Sequence, residues 1–447
     1  MTPFADLARA QAWVFDLQKY GIKFGLSSTL NLLARLGLPY EQGRYLHLAG
    51  TNGKGSVAAM LSAVLTRAGY PVGLFTSPHL VRFEERYRLS DHDISSSGLL
   101  DLINQVREAV DETEPPTFFE FAAAMAFLYF HQQGARPIIL ETGMGGRLDA
   151  TNIVTPLVSV ITNISLDHQF FLGNTLKAIA YEKAGIIKEA IPLVTHAHQK
   201  RVLALFHSRC QELHAPMYTG GEDFETRGRS GWFSYFGLKQ NLENLRVNLW
   251  GRHQYRNAAL ALAVVELLQE MGFPVPEQAI REGLAGVRWP GRLERVAQDP
   301  RVILDGAHNP AAARSLAQAL KRERLQGRRY LVTGIMADKD GHAILGSLLP
   351  LAQTVIFTRP RYFRAAKPED LARWAKPYPL EVLVEPEVSR AVRQAQTLAG
   401  PQDQVVVTGS LYTVGEALEY FEKVKEERLE SQIPNTPPPL QKTGKAV

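Results

Sequence analysis

The chain reads as a two-domain α/β protein built on largely parallel sheets. Short apolar, β-rich runs alternate with helical stretches along its length, the pattern of strands separated by crossover helices. The alternation breaks near residues 286–297 and then resumes as a second set. The length of 447 residues, about three times a common domain size, gives room for two cores.

Taken in order, Tyr45-Leu46-His47-Leu48-Ala49 is the first strand candidate, and Val57 to Leu65 lies in the helix that follows it. Further strand candidates are Pro71 to Thr76, Pro137 to Glu141, Leu157 to Ile164 and Ile191 to Thr195, each with an amphipathic stretch between or after. Beyond Trp289-Pro290-Gly291-Arg292 come Arg301 to Leu304, Tyr330 to Thr333, Thr354 to Thr358 and Gln404 to Thr408. This places one domain at 1–288 and a second at 289–425. The segment 432–447 is rich in proline and polar residues, cannot build a core and is expected to be disordered.

Composition narrows the function classes. Hydrophobic content of 45% with 21% charged residues is ordinary for a soluble globular protein. No uninterrupted apolar stretch approaches the ~18 residues that a membrane span requires. The N-terminus lacks a basic region followed by an apolar one, so secretion is not expected. A single cysteine, Cys210, excludes an intramolecular disulfide and a zinc site built on paired cysteines. Both features point to the cytoplasm. A formal charge of +5 suits anionic small molecules but gives no separate argument for nucleic acid. No membrane partner is expected, and a monomer is the simplest assembly.

The most informative stretch is Gly50-Thr51-Asn52-Gly53-Lys54-Gly55-Ser56, between the first strand and its helix. Glycines at a strand end let backbone N–H groups converge on phosphate oxygens, and the helix adds its positive N-terminal end. Lys54 supplies a point charge for terminal phosphates, and Ser56 can reach phosphate or metal. The loop is shorter than the common pattern and carries an extra Gly55 between lysine and serine. A nucleoside triphosphate is the implied ligand.

Other polar clusters follow strands, where open parallel sheets place their ligands. Glu141-Thr142-Gly143-Met144-Gly145-Gly146-Arg147-Leu148-Asp149 begins directly after Ile138-Ile139-Leu140. A carboxylate there can hold Mg²⁺, the alternative being a solvated acid in a tight turn. Asp167-His168 follows the strand Val158 to Ile164, and its imidazole can join Glu141 and a hydroxyl from Thr76-Ser77-Pro78-His79. Ile179, Lys183, Ile186 and Ile187 fall at helical spacing on one face, which sets a lysine on an apolar stripe. A buried ammonium needs a carboxylate, a shifted pKa or covalent neutralisation. Lys183 is therefore either a snorkelling structural lysine or a site residue. In the second set, Asp305-Gly306-Ala307-His308-Asn309-Pro310 links a strand to a helix that Asn309 is suited to cap. Arg292, at the junction, can bring a guanidinium onto phosphate as the domains close.

With these residues in hand, the chain resembles the folylpolyglutamate synthase and dihydrofolate synthase family of the Mur-ligase superfamily, in its bifunctional bacterial form. The resemblance rests on residues 21–26, His47 to Ser56, Thr76 to Leu80, Thr117 to Phe121, Glu141 to Asn152, Asp167-His168, Glu182 to Lys188, Pro290 to Arg292, Asp305 to Asn309 and Gly409 to Tyr412, in that order. It implies a P-loop ATPase domain with a largely parallel sheet, followed by a smaller Rossmann-like α/β domain, with ATP held between them. Gly53, Lys54, Gly55 and Ser56 would bind phosphates, and Asn257, Arg292 and Asp305 would contact ATP. Ser77, Glu141 and His168 would bind one or two Mg²⁺ ions. Thr117, Phe118, Phe119, Glu120, Leu148, Asp149 and Ala150 would border the pterin. The lysine matching Lys183 is carbamylated in the family. Lys54, Lys183, Arg292 and His308 are the catalytic candidates, although His308 equally suits ordering of the Asp305 loop. The implied reaction joins L-glutamate to dihydropteroate or a reduced folate through an acyl phosphate. A monofunctional folylpolyglutamate synthase or another Mur-type amide ligase is the alternative.

Overall fold

Three sheets organise the chain, a computed structural model that describes residues 2–21, 23, 25–229 and 231–432, the side chains of 428–432 excepted. The predicted disorder of the tail from 433 onward, and Ile22 and Phe24 of the 21–26 motif, lie outside the described residues.

The first sheet comprises β1 (Tyr45–Ala49), β2 (Gly73–Phe75), β3 (Tyr87–Leu89), β4 (His92–Asp93), β5 (Ile138–Glu141), β6 (Val158–Ile161), β7 (Leu193–Thr195) and β8 (Met217–Thr219). Its strand order is β4-β3-β2-β5-β1-β6-β7-β8. The run from β2 to β8 is parallel, and the β2–β3 and β3–β4 pairings at one edge are antiparallel. The central strand β1 is buried at every position, as expected for a parallel strand covered on both faces. Leu46 and Leu48 pack into a core with helix Lys54–Arg67 and helix Arg252–Glu270, while Tyr45 packs with helix Phe118–Gln132.

A three-stranded antiparallel sheet follows: β9 (Glu225–Arg229), β10 (Trp232–Phe236) and β11 (Asn241–Arg246). The last sheet contains β12 (Glu294–Gln298), β13 (Arg301–Leu304), β14 (Arg329–Thr333), β15 (Thr354–Phe357), β16 (Glu381–Val384) and β17 (Gln404–Thr408), in the order β12-β13-β17-β14-β15-β16. All its pairings are parallel except β12 with β13. The α/β architecture is thus the expected one, a large parallel-dominated sheet followed by a smaller Rossmann-like unit. The three-stranded sheet and the edge strands β3, β4, β8, β12 and β16 were not anticipated.

One helix departs from its predicted extent. The stripe through Lys183 lies on helix Leu176–Ala184, so Ile186 and Ile187 fall beyond its end, although both remain buried. Asn309 caps helix Pro310–Arg322 as expected, accepting from the Ala312 N–H at 2.9 Å.

Candidate functional site

The C-terminal ends of β2, β5, β1 and β6 stand side by side, so the segments after them converge at one rim of the first sheet. Facing that rim are Trp289 to Arg292 and the loop after β13. Between them lies a cavity of about 900 Å³, and every residue predicted as a site residue lines it.

The phosphate loop is shaped by close approaches. Gly53 has φ of 90°, and a Cβ there would stand 2.7 Å from Asn257 Oδ1. A Cβ on Gly55 would stand 2.8 Å from the Trp289 indole nitrogen. Both are distances that only glycine tolerates. The extra glycine that sets this loop apart is therefore where the interdomain segment presses on the helix start. Asn257 Nδ2 in turn donates to Gln254 Oε1 at 2.8 Å.

Charges on this side are left with few partners. Lys54 Nζ donates to the Gly50 carbonyl at 3.2 Å and lies 3.9 Å from Glu141 Oε1. The other Glu141 oxygen accepts from the Ser77 N–H at 3.2 Å. Burial raises the Glu141 pKa, with Lys54, the Ser77 N–H, Arg292 and Arg86 opposing. Lys183 is 4% exposed, and its ammonium also donates to the Gly50 carbonyl, at 2.9 Å. Among the described residues no carboxylate stands within ion-pair distance of it, and burial, then Lys54, pushes its pKa down to about 7. Of the three ways to accommodate a buried lysine, the shifted pKa is the one the uncombined side chain takes. His168, in the left-handed region at φ 49°, is held neutral with a pKa of about 4, chiefly by burial.

Across the cavity, Asp305 spends both carboxylate oxygens on backbone, accepting from Leu293 N–H and Ala307 N–H at 3.0 Å each. It thereby fixes the turn that carries Arg292, whose guanidinium, among the described residues, donates to the Gly291 carbonyl at 3.2 Å and to no other group. Gly306 gives the guanidinium passage, since a Cβ there would stand 2.5 Å from Arg292 Nη1. His308 bonds the Gly306 carbonyl at 2.9 Å through Nδ1 and brings Nε2 to 3.4 Å from Asp167. Asp167 also accepts from Lys339 at 2.5 Å and Asn309 at 3.0 Å. Burial alone would raise its pKa, but His308, His168 and Lys339 hold it well below the usual carboxylate range. Asn309 further exchanges amide hydrogen bonds with Asn52 of the phosphate loop.

The remaining wall is aromatic. Thr117 and Glu120 form a reciprocal cap: Glu120 Oε2 accepts from Thr117 N–H at 2.7 Å, and Thr117 Oγ1 accepts from Glu120 N–H at 3.3 Å. The Thr117 hydroxyl and one Glu120 oxygen are thus engaged within the protein, and Phe118 and Phe119 supply the apolar surface of the wall. Asp149 is likewise engaged, accepting from Thr151 and from Met144 N–H. Sequence reasoning missed Arg86 and His253, which both line the cavity. Arg86 lies 5.2 Å over the Phe118 ring and donates to His79 Nδ1 at 2.9 Å. His253 is held neutral at about 4 by burial, with Arg292 and Arg256 adding to the effect. No local pattern marks either Arg86 or His253.

Comparison with known proteins agrees with this layout. The Mur ligase middle domain matches residues 48–265 and the Mur ligase glutamate ligase domain residues 291–411. The dihydrofolate synthase/folylpolyglutamate synthase of Bacillus subtilis is 37% identical over 427 residues, covering 92% of this chain and 98% of that protein. The chain belongs to the dihydrofolate synthase/folylpolyglutamate synthase family of Mur ligases. The Escherichia coli member is 33% identical, over 94% of this chain and 96% of its own length. Among solved structures, E. coli FolC in complex with DHPP and ADP superposes with a TM-score of 0.86 at 32% identity, covering 94% of this chain and all of that one. Folylpolyglutamate synthase of Mycobacterium tuberculosis complexed with ADP gives 0.87 at 32% identity, over 93% of this chain and 99% of its own. A Mur ligase is an ATP-dependent ligase, and the chain is an enzyme of that class. No helix among the described residues is long and apolar enough to cross a membrane.

Proposed function

We propose that this enzyme joins L-glutamate to the carboxylate of dihydropteroate or of a reduced folate, at the expense of ATP and through an acyl phosphate. The observation that carries the reading is one cavity with two unlike walls: on one side Lys54, Lys183 and Arg292, whose hydrogen bonds among the described residues go to backbone carbonyls, and on the other the Phe118, Phe119, Leu148 and Ala150 surface. Family members of similar length that bind ADP support it.

In this reading Gly53, Gly55 and Ser56 present the loop to phosphates, and Lys54 and Arg292 offset the repulsion between the γ-phosphate and the incoming carboxylate. Asn257 packs against the phosphate loop, and Asp305 holds the turn that aims Arg292. The donor set fits Mg²⁺: Glu141 is a buried carboxylate, Ser77 brings a hydroxyl, and His168 is neutral. Among the described residues no group of three His, Cys, Asp or Glu side chains is placed to hold a metal ion, so Mg²⁺ here would take waters and phosphate oxygens as its remaining ligands. Such an ion would supply charge neutralisation at the phosphates. Lys183, mostly uncharged above pH 7, is chemically able to take up CO₂, and carbamylation would turn it into an anion beside the metal site. His308 is placed to orient the amino-acid substrate.

We divide the chain at 288/289, a division supported by the two family matches. We place the reaction in the cytoplasm, where glutamate and ATP are supplied, with a monomer as the active form. Assay of the purified protein with dihydropteroate and with tetrahydrofolate, each with glutamate and ATP, tests the assignment. Glutamate-dependent phosphate release and a γ-glutamyl product with both acceptors are expected; product with only tetrahydrofolate would reduce it to the monofunctional form, and product with neither would overturn it.

A further inference from the structure

His47 lies in β1, three residues before Gly50, and is completely buried. Its Nε2 stands 2.8 Å from Thr151 Oγ1. That hydroxyl has one proton, and it goes to Asp149 Oδ1 at 2.6 Å. Thr151 must then accept from His47, which fixes the imidazole as the Nε2–H tautomer and leaves Nδ1 bare. The geometry agrees, since His47 Nδ1 is a buried nitrogen with no partner among the described residues. Asp149 passes the connection on, accepting from Thr151 N–H at 3.1 Å through one oxygen and from Met144 N–H at 3.0 Å through the other. His47, Thr151 and Asp149 thus form a directed chain from the strand that ends in the phosphate loop to the 143–150 loop on the acceptor wall. Burial, with Lys188 adding to it, keeps the imidazole neutral at about 3, so the direction of the chain persists at any working pH.

We infer that His47 is a positioning residue: it ties the acceptor loop to the phosphate strand and so holds that loop in the position from which it grips the acceptor. This rests on the ligase reading above. A buried apolar strand position ordinarily carries valine or isoleucine, and a histidine there with one nitrogen unsatisfied is costly unless its other nitrogen does something that an aliphatic residue cannot.

The test compares His47→Leu, His47→Gln, Thr151→Val and the double variant His47→Leu/Thr151→Val in steady-state assays, with ADP binding followed by calorimetry. His47→Leu is expected to raise the KM for the acceptor by about tenfold, the scale of one lost buried hydrogen bond. The KM for ATP and the ADP affinity should stay within about twofold, because no group touching nucleotide is altered. His47→Gln retains an N–H near the Nε2 position and should recover most of the loss, and the double variant should be no worse than the worse single one. Equal rises in both KM values, unchanged acceptor KM in His47→Leu, or failure of His47→Gln to recover would each overturn the inference. Thr151→Val leaves His47 in place, so it reads the same link should His47→Leu not fold. A wild-type enzyme inactive with either acceptor would instead overturn the ligase reading itself.

Discussion

The two walls of the cavity use their polar groups in opposite ways. On the phosphate side, the hydrogen bonds that Lys54, Lys183 and Arg292 make among the described residues go to backbone carbonyls, and Lys54 has one long ion pair, with Glu141 at 3.9 Å. On the acceptor side, Thr117, Glu120, Asp149 and Thr151 are tied to one another and to backbone. A wall whose charges lack partners is completed by an ionic ligand, whereas a wall whose polar groups are satisfied recognises by shape and aromatic surface. The first should therefore lose catalysis when changed, and the second should lose acceptor affinity or stability.

The largest effect is expected at the phosphate wall. Lys54→Met and Arg292→Ala each remove a cation whose hydrogen bonds among the described residues stay within its own loop, the 3.9 Å contact of Lys54 with Glu141 being the one ion pair that reaches beyond it, so kcat should fall by about 10²–10³-fold. Circular dichroism and melting temperature should hardly move. Full activity in a folded Arg292→Ala protein would remove that residue from the reaction and leave the contrast resting on Lys54 alone.

Lys183 sharpens the contrast because it should oppose stability to function. Its pKa of about 7 lies below the ordinary lysine value. Between the two values the unfolded chain carries a proton that the folded chain lacks, so stability rises with pH across that interval. Below about pH 7 both states are protonated and the penalty of burial is felt in full. Lys183→Met should therefore be more stable than wild type at pH 7 in bicarbonate-free buffer, with a smaller gain between pH 7 and 9 in urea titrations, while activity falls by about 10²-fold. A variant no more stable at pH 7 would show that the ammonium is well accommodated in the fold.

What could be read in advance divides along the same line. Gly50 to Ser56, Glu141, Asp167-His168 and Asp305 to Asn309 were legible because each follows a buried strand directly, where a local pattern carries the signal. The reason for Gly55 was not, since it lies in Trp289, far along the chain. Arg86 and His253 reach the cavity through tertiary packing alone. In the three-stranded sheet the outer strands, Glu225–Arg229 and Asn241–Arg246, are mostly polar, and the sheet's buried residues, Phe233, Tyr235, Leu242 and Leu245, are too few to stand out as a period.

On the acceptor wall the effects should be smaller and of another kind. Phe118 presents its ring to the cavity and lies under the Arg86 guanidinium. Phe118→Ala removes stacking surface worth on the order of 1–3 kcal/mol, so the acceptor KM should rise by roughly tenfold or more with kcat little changed. A fall in kcat with KM unaltered would place Phe118 in alignment of the reacting groups and blur the distinction between the walls.

The smallest effect separates a cap from a substrate contact. Glu120 lines the cavity, yet its Oε2 is engaged with Thr117 N–H, and Thr117 returns the bond to Glu120 N–H. If the pair serves the helix, Thr117→Ala should lower stability by about 1 kcal/mol with little change in either KM. Glu120→Gln keeps an acceptor for the Thr117 N–H and should stay close to wild type in both stability and acceptor affinity. If the carboxylate instead meets the acceptor molecule, loss of its charge raises the acceptor KM while the melting temperature holds. Measuring both quantities on these two variants decides which, because a cap is read in the melting curve and a contact in the kinetics.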